Sequence, residues 1–289
     1  MSADEDRVRL RGPDGSSLQV ALHGGQPLSW ICRGRERLYL SPRARFAPGQ
    51  AIRGGVPVIF PQFSDRGPGP RHGFARVRAW THVSEGPAGE GPAGEGPASE
   101  GHFLLRGDPA THALWPHDFE AELSVALGAD TLVIALRVRN TGNSALAFTA
   151  ALHTYLAVDD LAELRLQGLG GRAYQDAARG GAAALQHESE LRFDGGELDR
   201  LYPGTAPDTD LRLIDGAHAL RIDAEGFADT VVWNPGAALA AGIADLGPGE
   251  ERHFVCVEAA AVATPIALAA GAQWCGRQTL TVTDRTPTP

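Results

Sequence analysis

Two residues able to move protons stand on apolar runs of this chain: His153 in residues 147–155 (AFTAALHTY) and Glu258 in residues 252–260 (RHFVCVEAA). A third stretch, residues 51–80, is built to hold an anion. It carries Arg53, Arg66, Arg71, Arg76, Arg78 and His72 against the single acid Asp65, in a chain of formal net charge −9. A dense positive patch on an acidic protein suits a small phosphate or carboxylate and repels polyanions, so nucleic acid is not an expected partner. No nucleophile stands in an evident triad. An anion site with one or two histidines and a carboxylate suits proton shuttling on a small phosphorylated or acidic substrate.

Each residue alone has a plainer reading. Surface arginines are usually solvated, a lone strand histidine is more often structural than catalytic, and a glutamate at a strand edge can simply face water. Their surroundings favour the sharper one. Strand alternation puts Thr149, Ala151, His153 and Tyr155 on one face, opposite Phe148, Ala150 and Leu152, so the imidazole has small and polar neighbours suited to a cleft wall. Glu258 shares its face with Phe254 and Cys256 and ends an apolar strand, where an unpaired carboxylate is costly. Gly54, Gly55 and Gly73 would let backbone approach a ligand closely, and Pro57, Pro61, Pro68 and Pro70 stiffen the loops.

The elements that must position these groups read as strands. More than a dozen short apolar runs divided by turns, with no convincing helical period, predict an all-β fold: a large antiparallel β-sandwich forming one domain over residues 1–289. Strands are expected at 17–23, 27–32, 131–139, 211–214, 219–224 and 229–233, with 197–202 a loop entering a strand and a final strand pair over 266–282. Residues 84–101 repeat Gly-Pro-Ala-Gly-Glu and are expected to form a flexible low-complexity loop, and 286–289 a frayed tail.

Composition narrows the chemistry. All 26 Lys+Arg residues are arginine, which removes Schiff bases, lysine-held pyridoxal phosphate and Walker-type loops. No Gly-x-Gly-x-x-Gly stands between a strand and a helix, and the three cysteines, Cys32, Cys256 and Cys275, form neither a disulfide framework nor a zinc-ligand pairing. No cofactor and no metal are therefore expected. The N-terminal residues lack an apolar signal region and no apolar run is long enough for a bilayer, so the expectation is a cytoplasmic protein with no membrane partner.

Seven motifs in order carry a family likeness: 51–63 (AIRGGVPVIFPQF), 72–76 (HGFAR), 151–155 (ALHTY), 168–171 (GLGG), 199–202 (DRLY), 232–235 (VWNP) and 254–258 (FVCVE). Together they resemble the D-hexose-6-phosphate mutarotase branch, or glucose-6-phosphate 1-epimerases, of the aldose 1-epimerase superfamily, over nearly the whole chain. That resemblance implies a galactose-mutarotase-like sandwich acting as a monomer on a small-molecule sugar phosphate, without cofactor. It also implies roles. Glu258 takes the proton from the anomeric hydroxyl and His153 protonates the ring oxygen; His72 and Asp199 hold sugar oxygens; Arg53 and Arg76 hold the 6-phosphate. Gln62 and Arg71 complete the expected substrate contacts. The alternatives are a mutarotase of unphosphorylated aldoses and a non-catalytic sugar-phosphate-binding module. Three features depart from the family pattern: Leu156 where Phe is frequent, Ser64 where Gly is usual, and the Gly-Pro-Ala-Gly-Glu insertion.

Overall fold

Period-two alternation makes a strand that can bury one face, and almost every element of the computed structural model, which describes residues 6–87, 99–207 and 209–284, is such a strand. Phe119–Leu127 shows it plainly: Phe119, Ala121, Leu123, Val125 and Leu127 are buried while the residues between them are partly exposed. The strands form three sheets, and every strand pairing in them is antiparallel. A nine-stranded sheet runs from Glu190–Arg192 through His218–Glu225, Gln273–Asp284 and Thr131–Asn140 to Ser99–Arg106 and Thr81–Pro87. An eight-stranded sheet has Phe254–Leu268 near its middle, between Asp229–Asn234 and Leu146–Leu152. A four-stranded meander opens with Arg7–Arg11 and Ser17–Ala21.

The main core lies between these layers. Leu152, Val232 and Val257 of the eight-stranded sheet pack in one apolar cluster with Leu123, Ile134 and Leu280 of the nine-stranded sheet and Leu18 and Trp30 of the meander. Inside it, Gln278 ties the two large sheets. Its amide nitrogen donates to the Val257 carbonyl at 3.1 Å while its oxygen accepts from the Thr154 hydroxyl, so the buried polar atoms are satisfied. The opposite face of the eight-stranded sheet carries two smaller apolar clusters, one around Tyr39, Tyr155, Phe254 and Cys256, the other around Ile59, Ala151, Leu201 and Val231.

The sandwich agrees with the sequence reading, but several boundaries do not. Residues 252–260 and the start of the expected final strand pair join in one strand, Phe254–Leu268, which puts Glu258 inside a strand and not at its end. Residues 197–202 are strand almost throughout, as Leu198–Tyr202. The 84–101 repeat is also shorter than expected as a loop, because Thr81–Pro87 pairs with Ser99–Arg106. Residues 88–98 and the 286–289 tail lie outside the described residues. Two short α-helices, Pro109–His112 and Gly236–Ala240, and five 3-10 turns of three or four residues complete the described elements, and no helix among the described residues is long and apolar enough to cross a membrane.

The long strand survives because its irregularity is held. Its register with Leu146–Leu152 steps from Phe148↔Ile266 to Ala150↔Ala261, an advance of two residues on one strand against five on the other. The buried Asp229 carboxylate accepts from Val262 N and Ala263 N, each at 2.8 Å, and from Gly204 N at 3.2 Å. Asp229→Ala leaves those amides without an acceptor and should cost about 2–5 kcal/mol, with Asp229→Asn losing less. Thermal unfolding checks this: a Tm within about 2 °C of the parent would mean the bulge is held by other contacts.

Candidate active site

Antiparallel register decides which side chains meet. Partners across a ladder point to the same side of the sheet, so Asp199↔Trp233, Trp233↔Cys256 and Cys256↔Tyr155 form one row, and Leu201↔Val231 and Val231↔Glu258 the next. Both rows stand on the face turned away from the main core. His153 joins them through a break in its strand. Leu146–Leu152 ends just before it and Tyr155–Ala157 begins two residues later, with the His153 amide bonded to Pro57 O and Thr154 turned into the core. The imidazole thereby comes to rest with Nε2 3.3 Å from Glu258 Oε1.

Both members of that pair are almost fully buried. Burial pushes the Glu258 carboxyl up, with the nearby Asp199 adding to the shift and Arg76 opposing it. Burial likewise pushes His153 down, helped by His72, Arg76 and Arg53. Both directions disfavour the charged form of each group, and the 3.3 Å Oε1–Nε2 approach gives a proton a short path between them. Glu258 Oε2 and His153 Nδ1 are buried without a hydrogen-bond partner among the described residues. The ring is clamped by Tyr155, stacked at 5.0 Å and 13°, and by the edge of Trp233 at 5.8 Å.

The basic side of the cleft comes from loops. Arg53 Nε bonds Asp245 Oδ1 and its Nη1 donates to the Tyr155 hydroxyl, both at 3.1 Å. Burial opposes the Arg53 charge, but Tyr155 and Asp245 outweigh it and hold the guanidinium above its ordinary pKa. Among the described residues Arg76 has no acid in contact. Burial, with Arg53 and Arg71 alongside, pushes it down to about 10, and its Nε is buried without a partner among the described residues. Its Nη2 donates to Arg71 O at 3.0 Å. His72, at φ 63°, accepts from Ser64 N on Nδ1 at 3.3 Å, and burial plus Arg76, Arg71 and Arg53 push it down to about 3. A neutral ring that accepts on Nδ1 carries its proton on Nε2, leaving that N–H free to donate. Phe63 and His153 flank it at 5.2 and 5.6 Å.

A cleft of about 350 Å³ brings together Arg53, Arg71, His72, Arg76, His153, Asp199 and Glu258. It has room for one small sugar phosphate. Gln62 is not among its lining. It is spent inside its own loop, donating to Ser64 O and Gly69 O and accepting from Gly69 N, so the expected substrate contact is instead the brace that shapes residues 62–70. The glycines likewise serve the backbone and not a ligand: a Cβ on Gly73, at φ 69°, would lie 2.1 Å from Phe60 O. Ser64, at the family's glycine position, keeps a left-handed φ of 49°. Arg66 turns away to Gln175 at 3.3 Å, and Arg78 does not line the cleft.

Sequence reasoning gave no role to Tyr155, Trp233 or Asp245. Alternation placed Tyr155 on the face of His153, which was signal enough to suspect it; Asp245 lies in a glycine- and alanine-rich segment, with nothing to relate it to Arg53. Among the described residues no three or more His, Cys, Asp or Glu side chains are grouped so as to hold a metal ion.

This fold is that of the galactose-mutarotase-like proteins. A crystal structure of YeaD from Salmonella typhimurium, provisionally described as a mutarotase, matches it with a TM-score of 0.85 and 27% identity, covering 97% of this chain and 92% of that one. An aldose epimerase homologue from C. elegans shares the fold at a TM-score of 0.69 and 12% identity, covering 97% and 99%. The aldose 1-epimerase family profile matches residues 6–281, and the chain belongs to that family of isomerases. A Cenchrus ciliaris protein provisionally named glucose-6-phosphate 1-epimerase is 37% identical over 278 residues, 94% of this chain and 83% of its own. An Escherichia coli K12 protein of the same provisional name is 34% identical over 255 residues, 83% and 78% of the two chains.

The depressed His72 has a consequence for stability. The folded ring stays neutral down to about pH 3, whereas the unfolded chain takes up the proton near its ordinary value of 6.5. The contribution is therefore intact above pH 6.5 and is lost as pH falls from there toward 3. His72→Gln, which cannot titrate, should flatten part of that decline in urea midpoints measured across this range. An unchanged slope would assign the acid sensitivity to other groups.

Proposed function

We propose that the protein interconverts the α and β anomers of a hexose 6-phosphate, with glucose 6-phosphate the leading substrate. The observation that carries this reading is the presence, in one cleft, of the His153–Glu258 pair and of Arg53, Arg71 and Arg76. A neutral sugar gives no reason to gather three guanidiniums, and Arg76 in particular has no acid in contact among the described residues. A phosphate dianion supplies the acceptors that such a cluster is suited to hold. The provisional names of the relatives from Cenchrus ciliaris and Escherichia coli point the same way.

The chemistry needs one proton between Glu258 and His153. Transfer of that proton from Glu258 to His153 gives a carboxylate base beside an imidazolium acid without changing the buried charge. Glu258 then takes the proton of the anomeric hydroxyl while His153 protonates the ring oxygen; the C1–O5 bond breaks and the C1 carbonyl forms. After rotation about C1–C2 the O5 hydroxyl attacks the other face of the aldehyde. His153 recovers the O5 proton, Glu258 returns one to O1, and the enzyme ends as it began. The His72 Nε2–H is suited to donate to a sugar oxygen near the reacting centre, and Asp199 to accept from hydroxyls. The proposal takes the protein to act as a monomer, and a sugar phosphate substrate fits the cytoplasm.

NMR exchange between the anomers of glucose 6-phosphate, run beside free glucose, tests this. The phosphate ester should be accelerated far more than the free sugar. Glu258→Gln should lower kcat about 10²–10⁴-fold with binding retained, and Arg76→Ala should chiefly raise KM. Equal acceleration of both sugars would instead mark a mutarotase of unphosphorylated aldoses, and tight binding without exchange a sugar-phosphate-binding module.

A further inference from the structure

The guanidinium of Arg53 and the imidazole of His153 do not touch, yet one residue touches both. Tyr155 accepts from Arg53 Nη1 through its hydroxyl at 3.1 Å, and its ring stacks on His153 with centroids 5.0 Å apart and planes 13° from parallel. We propose that Tyr155 is a positioning residue that couples occupancy of the phosphate site to the alignment of the His153 imidazole. The inference rests on the phosphate reading above and adds to it that the phosphate raises turnover as well as affinity.

The packing leaves Tyr155 little freedom to absorb a movement of Arg53. Its ring is 3% exposed and closed in by Phe254 at 5.2 Å, Trp233 at 6.1 Å and Tyr39 at 6.5 Å. Close-packed interiors pass a displacement to the next side chain, and the side chain stacked on this ring is His153. The backbone repeats the connection: Tyr155 N donates to Gly55 O at 2.9 Å, so the Arg53–Gly55 segment and Tyr155 are joined once by side chains and once by backbone. On its other side Arg53 is anchored by Asp245, which limits the positions the guanidinium can take. An anion that settles Arg53 in one of them settles the phenol and, through the stack, the ring that must reach O5. Binding energy from a part of the substrate remote from C1 is then spent on the reacting geometry.

Supplying the substrate in two pieces tests this. Anomer exchange of free glucose is measured with and without inorganic phosphate, after subtracting the enzyme-free rate in the same buffer, and phosphate affinity is read separately from NMR shifts. The unaltered protein should show acceleration by phosphate of about tenfold or more. Tyr155→Phe keeps the buried ring and deletes only the hydroxyl. The ratio of rates with and without phosphate, taken within that variant so that any change in its basal rate cancels, should fall toward one, while the phosphate dissociation constant changes less than about threefold. Arg53→Ala, as a second variant, should lose affinity and acceleration together. A Tyr155→Phe ratio equal to that of the unaltered protein overturns the role of Tyr155, as does phosphate that binds the unaltered protein without acceleration. Failure of phosphate to bind at all removes this inference together with the phosphate reading on which it rests.

Discussion

A carboxylic acid placed in the middle of an apolar sheet must find a partner or lose its charge, and Glu258 does both. Its neighbours along the strand are Val257 and Ala259, each committed to the main core, so alternation forces the carboxyl out on the opposite face. There, among the described residues, the group that meets it at contact distance and can exchange a proton with it is His153, 3.3 Å away. Burial disfavours an ion on either residue and so favours the uncharged form of each. Much of the cleft can be understood as protection of that state. Tyr155 and Trp233 fix the imidazole, the apolar clusters on either side keep water from separating the pair, and the break at His153–Thr154 lets one residue face the acid while the next anchors in the core.

The positive side of the cleft obeys a different economy. Arg53 is matched by Asp245 and Arg71 lies 3.8 Å from Asp65, but among the described residues Arg76 has no acid in contact, and burial, with the neighbouring arginines adding to it, pushes Arg76 and His72 down. Such an excess is unfavourable in the folded protein by itself. It is maintained by the frame that carries it: the Gln62 amide closes the loop on itself, and Gly73 lets that loop pass within contact of the Phe60 carbonyl. The neutral His72 at its edge follows directly, since a further positive charge there would add to the repulsion.

Much of this arrangement was legible in the sequence because period two is a strong constraint. It assigned His153 and Tyr155 to one face of their strand and Glu258 with Cys256 to one face of theirs, and the Tyr155↔Cys256 pairing brings those faces to the same side of the sheet. What alternation could not give was the extent of Phe254–Leu268, since its bulge depends on Asp229, a residue distant in sequence that accepts its amides. Gln62 was misread for a related reason. It entered with the contacts that the resemblance implies, and only the closed loop reveals that its hydrogen bonds are spent locally. Asp245 had no local pattern at all, because its meaning is a contact across 192 positions of sequence.

The division of labour between strands and loops has a final consequence. The groups suited to break and make bonds at the anomeric carbon, His153 and Glu258, stand in or beside paired strands where their positions are determined by register and core packing. The groups suited to recognise what the sugar carries at its far end, Arg53, Arg71 and Arg76, stand on segments held by side-chain hydrogen bonds and a few backbone contacts. A change in the loops can therefore alter which sugar is accepted without disturbing the proton transfer, whereas a change of register in Phe254–Leu268 would remove the acid and the apolar face beneath it together. Tyr155 is the exception to that separation. It belongs to the sheet by its backbone, stacks on the acid's partner by its ring and reaches the arginines by its hydroxyl, so it is the point at which recognition and chemistry are not independent.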